Sequence, residues 1–268
     1  MAGGLRLRYI GGMNRILEFE GVPNFRDYGG YATACGRGLK PALLYRSGNH
    51  HRATEADLEA MAGLGLTVVV DLRRRAERDR EPSRRWTGFA AEVIENDIGD
   101  VGKPWEEELK GADPTPEFFR SVSHGWYRRN PFEPRLLDLY ARYFAALAAT
   151  DGAVLVHCAA GKDRTGLLVA LTHHLAGVHR DDLIEDFLLT NTAVPPSQIP
   201  LVAGLITRHT GKAPSDEALR IAMGVHAPDL EASFEVMEAR YGSLDGYLEQ
   251  ALGVDTVKRD AIAARLLG

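Results

Sequence analysis

Apolar positions along the chain follow two different spacings, and the alternation between them outlines a fold. Continuous apolar runs at 66–71 (Leu-Thr-Val-Val-Val-Asp) and 153–156 (Ala-Val-Leu-Val) read as strands buried on both faces. A run at 42–47, Ala-Leu-Leu-Tyr-Arg-Ser, predicts a third strand. The turn residues before it, Asn24, Gly29, Gly30, Gly36 and Gly38, predict short antiparallel pairing. Between the strands the apolar residues recur at helical spacing over 54–64, 136–147 and 166–175. Thr54 is placed to cap the first helix, with Glu55 in its first turn and Asp57 three residues on, and Gly65 ends it. Strands alternating with helices predict an α/β fold with a mostly parallel central sheet flanked by helices. Past Val178 only helical patterns remain: one capped by Asp181 or Asp182, and others over 230–241 and 244–252.

The stretch 99–134 breaks the pattern. It is punctuated by Pro and Gly, carries Trp105, Phe118, Phe119, Trp126, Tyr127 and Phe132, and is too long for an ordinary connection. Its aromatic content speaks against plain disorder, which leaves short helical pieces or a lid over a functional site as the readings. With no internal repeat and no Gly/Ser-rich linker, 1–268 is expected to form one domain. The composition agrees, with 45% hydrophobic and 26% charged residues. Lys and Arg number 32 against 37 Asp and Glu, a net charge of −5 that argues against a surface built for nucleic acid. No apolar run reaches the roughly 18 residues of a membrane helix. The first twelve residues lack the apolar stretch, roughly 7–15 residues, of a secretory signal, so a cytoplasmic location is expected, with signal-less export left open. The two cysteines, Cys35 and Cys158, cannot supply a disulfide framework and suit a reducing compartment.

Candidate chemistry concentrates in Val156-His157-Cys158-Ala159-Ala160-Gly161-Lys162-Asp163-Arg164-Thr165-Gly166, between a predicted strand and a predicted helix. A cysteine at the end of a buried strand is ordinarily a small core residue, and an arginine near a helix start is ordinarily solvated. Their six-residue separation on a strand-loop-helix changes the reading. Loop amides and helix N-terminal N–H groups converge on one point and favour an anion there. Arg164 supplies a planar fork for phosphate oxygens. The same positive field favours a Cys158 thiolate relative to a free thiol of pKa about 8.5, and a thiolate beside a bound phosphate is a nucleophile aimed at phosphorus.

This segment resembles the cysteine-dependent phosphatases, in particular the bacterial tyrosine or dual-specificity group that includes the mycobacterial B-type enzymes. The group's loop pattern, His-Cys-x-x-Gly-Lys-Asp-Arg-Thr-Gly, matches residues 157–166 at every specified position. The likeness extends to Asn24-Phe25-Arg26-Asp27-Tyr28-Gly29-Gly30, Leu44-Tyr45-Arg46-Ser47-Gly48, Asp71-Leu72-Arg73 and Tyr241-Gly242-Ser243, and so covers most of the chain. The resemblance implies that Cys158 attacks phosphorus, that Arg164 binds the phosphate with loop residues Ala159, Ala160, Gly161, Lys162 and Asp163, and that Asp163 is a candidate general acid. It implies phosphotyrosine, phosphoserine/threonine and phosphoinositide substrates, handled without a cofactor. His157 is expected to fix the loop and Thr165 to hydrogen-bond the thiolate leaving in the second step.

The chain departs from the wider superfamily in lacking a Trp-Pro-Asp acid loop; Pro104-Trp105-Glu106 is not equivalent. A phenol of pKa about 10 leaves far more easily than an alkoxide near the value of water, about 15.7, a gap on the order of 8 kcal/mol that proton transfer partly closes. Asp163 is the favoured acid because it lies in the loop, with Asp97 and Asp100 as alternatives and an ion pair with Lys162 or Arg164 as its structural reading. Lys162 adds a second charge suited to a polyphosphorylated headgroup. Arg26, Asp27, Arg46, Asp71, Arg73 and Glu77 read as a polar framework that holds the loop. Seven arginines between Arg73 and Arg85, interleaved with Glu77, Asp79 and Glu81, read as a solvated helical face. His50-His51 and His173-His174 lack metal-ligand spacing, so no metal is expected. Cys35 is read as structural, or as a rescuer of oxidised Cys158 if the fold brings the two together. A rhodanese-like sulfurtransferase and a catalytically inactive phosphoresidue-binding module remain as alternatives, separable by thiosulfate turnover and by release of phosphate from a phosphopeptide.

Overall fold

The computed structural model describes residues 16–99, 103–193 and 198–268. Strands β1 (Arg26–Asp27), β2 (Leu44–Ser47), β3 (Leu66–Asp71), β4 (Glu92–Ile94) and β5 (Ala153–His157) form one sheet in the spatial order β1-β2-β5-β3-β4. All neighbours run parallel except β1, which pairs antiparallel with β2 at one edge. Along the chain the helices are α1 (Glu55–Ala62), α2 (Arg75–Arg80), α3 (Trp105–Glu108), α4 (Pro116–Arg129), α5 (Pro134–Ala149), α6 (Asp163–Ala176), α7 (Arg180–Leu188), α8 (Ile199–Thr210), α9 (Asp216–Met223), α10 (Ala227–Tyr241), α11 (Leu244–Gln250) and α12 (Thr256–Leu266). The α/β architecture and the helical final third match the hydrophobic pattern.

Strand alternation explains the apolar runs. Val68, Val70, Val154 and Val156 share one core with residues of α5 and α6, whereas Val69 and Leu155 share another with Leu58 and Met61 of α1. Both faces of β3 and β5 are therefore covered, apart from the exposed Thr67 near the start of β3. At the start of α1 the Thr54 hydroxyl accepts from Asp57 N at 3.2 Å, and Thr54 N donates back to the Asp57 carboxylate at 2.9 Å.

Several boundaries differ from those the pattern predicts. Helix α5 starts two residues early because Pro134 fits a first turn, where its missing N–H has no partner to lose. Helix α6 starts at Asp163, three residues early, directly after the cysteine loop. Asp181 and Asp182 lie in the first turn of α7 rather than at its cap, which is His179 with no side-chain bond; their charge still suits the positive end of the helix. The stretch 99–134 contains α3 and α4. With α8 and α9 they build a third apolar cluster, containing Leu109, Phe119, Ile206 and Leu219, separate from the two clusters on the sheet. The run of arginines is not one solvated face: Arg75 and Arg80 are exposed, but Arg73 is buried against Asp71 at 2.7 Å.

The register of β1 and β2 places Arg26 directly opposite Arg46, both fully buried. Like charges so placed repel, and each has lost its water. Asp186 of α7 lies between them: its carboxylate is 3.4 Å from Arg26 Nε and 3.0 Å from Arg46 Nη1, and it accepts from the Tyr31 hydroxyl at 3.3 Å. Burial first, and the charge of Arg26 second, lower the Arg46 guanidinium to about 10, and Asp186 works against both causes. Burial alone would raise Asp186, but the two guanidinium groups hold it well below the usual carboxylate range. Because its folded value is depressed, the contribution of Asp186 is complete above the ordinary aspartate value, about 3.9, and is lost as pH falls through the folded value. Asp186→Asn is expected to cost about 3–5 kcal/mol at neutral pH. It should also flatten the loss of stability below about pH 4, which urea unfolding across that range would measure. An acid slope equal to that of the unsubstituted protein would remove Asp186 as its source.

Candidate active site

The loop 158–162 runs from the C-terminal end of central strand β5 into α6, the end of an open parallel sheet where ligands are generally received. Cys158 is 2% exposed. Gly161 turns the chain with φ +66°; a Cβ there would lie 2.3 Å from Ser47 O at the end of β2, so no other residue fits.

The loop's carbonyls are held outward. Ala159 O accepts from Asn49 N at 3.0 Å, and Gly161 O accepts from both Asn24 Nδ2 and Arg46 Nη2 at 2.8 Å. Ala160 O and Lys162 O lie at longer range from the same two side chains, 3.3 and 3.5 Å. In a planar trans peptide the N–H points opposite to the C=O, so fixing the carbonyls on one side turns the following amides to the other. Asn24 reaches the loop from a left-handed backbone at φ 57°, and its side-chain oxygen accepts from Arg26. Of the framework residues expected from sequence, Arg46 thus grips the loop from behind and Arg26 supports Asn24, which with Asn49 was not among them; Arg73 pairs with Asp71 and Glu77 with Arg164. Asp27 does not take part; its carboxylate ties Gly29 N and Ala42 N at 2.7 and 2.6 Å.

Arg164 lies in the first turn of α6 with its side chain only 15% exposed. Nη1 and Nη2 donate to the two Glu77 oxygens at 2.6 and 2.8 Å, and Nη1 also donates to Leu72 O at 3.1 Å. Arg135 Nη1 donates to the same Leu72 carbonyl at 2.9 Å, so two guanidinium groups meet there. Burial opposes the charge of Arg164, but Glu77 outweighs it and raises the group above its usual value. Burial would likewise raise Glu77, yet Arg164 beside it brings the carboxyl down to about 2. The pair is ionised at any physiological pH. The end of the Arg164 fork is occupied by Glu77, which leaves the Nε edge for an anion.

Asp163 Oδ1 accepts from the Tyr127 hydroxyl at 3.0 Å and lies 3.2 Å from Lys162 Nζ. Lys162 also donates to Gly224 O at 3.0 Å and Ala222 O at 3.5 Å, joining the loop to the end of α9. Asp97 is not brought to the loop: it pairs with Arg75 and Arg78 in a separate groove. Asp100 lies outside the described residues. Thr165 is fully buried in the first turn of α6, but its hydroxyl forms no hydrogen bond among the described residues, so the expected bond to Cys158 is not made in this state. His157 stacks on His50 with ring centroids 4.2 Å apart and sits 3.6 Å from Asp71. Burial lowers it to about 4, against the pull of Asp71 and with the help of Arg73 and Arg85, so its ring is neutral and acts by packing. Cys35 is exposed and is not among the residues lining the cavity that contains Cys158.

That cavity, of about 490 Å³, is lined by Cys158, Lys162, Asp163 and Arg164 on one side and by Trp105, Phe119, Trp126 and Tyr127 of α3 and α4 on the other. Four of the six aromatic residues of 99–134 therefore line the same space as the loop, whereas Phe132 packs on Tyr241 and Tyr247. Among the described residues no group of three or more His, Cys, Asp or Glu could hold a metal, and no helix is long and apolar enough to cross a membrane. Two participants carried little sequence signal. Asp186 sits in an ordinary helical pattern, and Tyr127 was visible only as one aromatic among several.

Known proteins give the same outline. A Cupriavidus necator protein bearing a tyrosine-protein phosphatase name is 34% identical over 250 residues, covering 90% of this chain and 86% of that one. The triple specificity protein phosphatase PtpB of Mycobacterium tuberculosis is 31% identical over 284 residues, covering 94% of this chain and 99% of that one. A tyrosine-protein phosphatase of Nostoc commune is 27% identical over 87% of this chain and 77% of its own length. The family model described as the tyrosine phosphatase family matches residues 17–268, from before β1 through the last helix, and the chain belongs to that family.

Proposed function

We propose that the protein hydrolyses phosphomonoesters through a phosphocysteine, with phosphotyrosine proteins as substrates and phosphoserine/threonine or phosphoinositide headgroups also accepted. The observation that carries this reading is the outward anchoring of the loop carbonyls behind Cys158, which turns the amides toward a single anion site. The triple specificity in the name of the mycobacterial relative supports the broader range, as does a cavity with apolar walls and basic residues beside the loop.

In the first step the Cys158 thiolate attacks phosphorus while the loop amides and Arg164 hold the non-bridging oxygens. The S–P bond forms, the ester P–O bond breaks, and the leaving oxygen takes a proton from Asp163. In the second step water attacks the phosphocysteine and gives its proton to the Asp163 carboxylate, and the thiolate leaves. The chemistry needs no metal or cofactor. Glu77 fixes the plane of Arg164, and Lys162 supplies a second cation beside the phosphate.

An aryl phosphate should be hydrolysed in the presence of a chelator and inhibited by vanadate, and Cys158→Ser should lower turnover by more than about a thousandfold while still binding phosphate. Full activity in that variant would falsify the nucleophile assignment. Asp163→Asn is expected to slow hydrolysis of phosphoserine by about 10²–10⁴-fold and of p-nitrophenyl phosphate far less, because only the poorer leaving group depends on protonation. A small, uniform loss on both would remove Asp163 as the acid. Gly161→Ala should weaken vanadate binding by at least about tenfold, since the added methyl group displaces the loop from β2. Unchanged vanadate affinity, read by competition against turnover, would contradict the role given to that turn.

A further inference from the structure

Asp163 has two oxygens, and the structure treats them differently. Oδ1 faces two donors, the Tyr127 hydroxyl at 3.0 Å and Lys162 Nζ at 3.2 Å. Oδ2 receives no hydrogen bond or ion pair among the described residues. Asp163 lines the cavity and its side chain is 29% exposed, so the carboxyl is within reach of a bound substrate.

We propose that Tyr127 is a positioning residue for proton transfer: by donating to Oδ1 it assigns the transferable proton to Oδ2, the oxygen left to face the leaving group. This rests on Asp163 being the acid. A proton on Oδ1 would point at a phenolic O–H and an ammonium, neither of which can accept it in those roles, whereas a proton on Oδ2 leaves both existing contacts intact. Without the phenol, only the Lys162 ammonium holds Oδ1, the carboxyl turns more freely, and part of the gain from preorganisation is lost. In the first step the Oδ2 proton passes to the leaving oxygen as the P–O bond breaks, and Asp163 is left as a carboxylate stabilised on Oδ1 by the same two donors. In the second step Oδ2 takes the proton of the attacking water.

The phenol is itself held firmly. Tyr127 is 1% exposed, its carbonyl accepts from Ser233 Oγ at 2.7 Å, and its ring meets Phe187 edge-on with centroids 6.0 Å apart. Phe187 in turn packs so closely on Gly166 that a Cβ there would lie 2.8 Å from its ring. The first turn of α6, which carries Asp163, is thus linked through α7 to the Tyr127 ring on α4. Burial first and the Asp163 carboxylate second raise the phenol well above its usual value, so it remains a donor throughout the working pH range.

The test is Tyr127→Phe, which keeps the ring and removes only the hydroxyl. It is assayed as kcat/KM across aryl phosphates of graded phenol acidity and a phosphoserine peptide, beside Asp163→Asn and the double variant. Vanadate affinity should stay within about twofold, since the anion site is not touched. The rate on the phosphoserine peptide should fall by about tenfold and that on p-nitrophenyl phosphate much less, and Tyr127→Phe should add nothing in the Asp163→Asn background. A uniform loss across the series, weaker vanadate binding, or losses that add in the double variant would each overturn the proposal in favour of a packing role. If Asp163→Asn alone shows no dependence on the leaving group, the acid assignment falls and the proposal falls with it; a dependence in Asp163→Asn that is absent from Tyr127→Phe sinks the proposal alone. Should the phenylalanine protein fail to fold, 3-fluorotyrosine at position 127 preserves the packing and sharpens the donor. An unchanged dependence on the leaving group would then count against the proposal.

Discussion

Peptide planarity is the constraint on which the site depends. A loop can present a ring of amides to an anion only if its carbonyls are held on the far side, and in an isolated strand-loop-helix nothing would hold them there. Here the holding groups come from elsewhere in the chain: the amide of Asn49 and the side chains of Asn24 and Arg46. The first two lie in turns flanking the β1-β2 pair and the third is within β2 itself. The edge of the sheet therefore shapes the loop at its centre. Because Arg46 must be buried to reach the loop, it brings a charge into the core beside that of Arg26, and the Asp186 carboxylate shared by both makes this tolerable.

Electrostatics divide the remaining work. Arg164 is a permanent cation whose plane is set by Glu77, and the neutral His157 adds packing without adding charge. The positive potential at the loop thus derives from backbone dipoles, guanidinium groups and the Lys162 ammonium rather than from a histidine. Opposite them stands a wall of aromatic side chains from α3 and α4. A site polar on one side and apolar on the other suits an ester whose phosphate is hydrophilic and whose carrier group is not.

Much of this was legible in the chain. Strands β3 and β5 announce themselves because residues covered on both faces have no reason to be polar, and Thr54 with Asp57 marks the start of α1 because unsatisfied amides at a helix start need local acceptors. The cysteine loop reads directly, since its residues act at consecutive positions. What was hidden depends on distance in sequence. Nothing about Asp186 says that it neutralises residues 160 and 140 positions away, and nothing about Tyr127 says that its hydroxyl meets Asp163. The helices within 99–134 could not be delimited because Pro and Gly punctuate the stretch and α3 is only four residues long, although α4 is as amphipathic as α5. Seven arginines close together suggested one surface, yet they divide between core and solvent because partners such as Asp71 are supplied by the fold.

The buried trio of Arg26, Asp186 and Arg46 also bears on how such a chain can diversify. Exchange of Asp186 strands two guanidinium groups in the interior without their counter-charge, while replacing the arginines by apolar residues of similar volume would release the loop carbonyl that Arg46 holds and the Asn24 side chain that Arg26 supports. Neither route preserves the anion site. Drift should therefore accumulate on the aromatic wall apart from Tyr127, where one ring can stand in for another, and leave these positions locked together as a block.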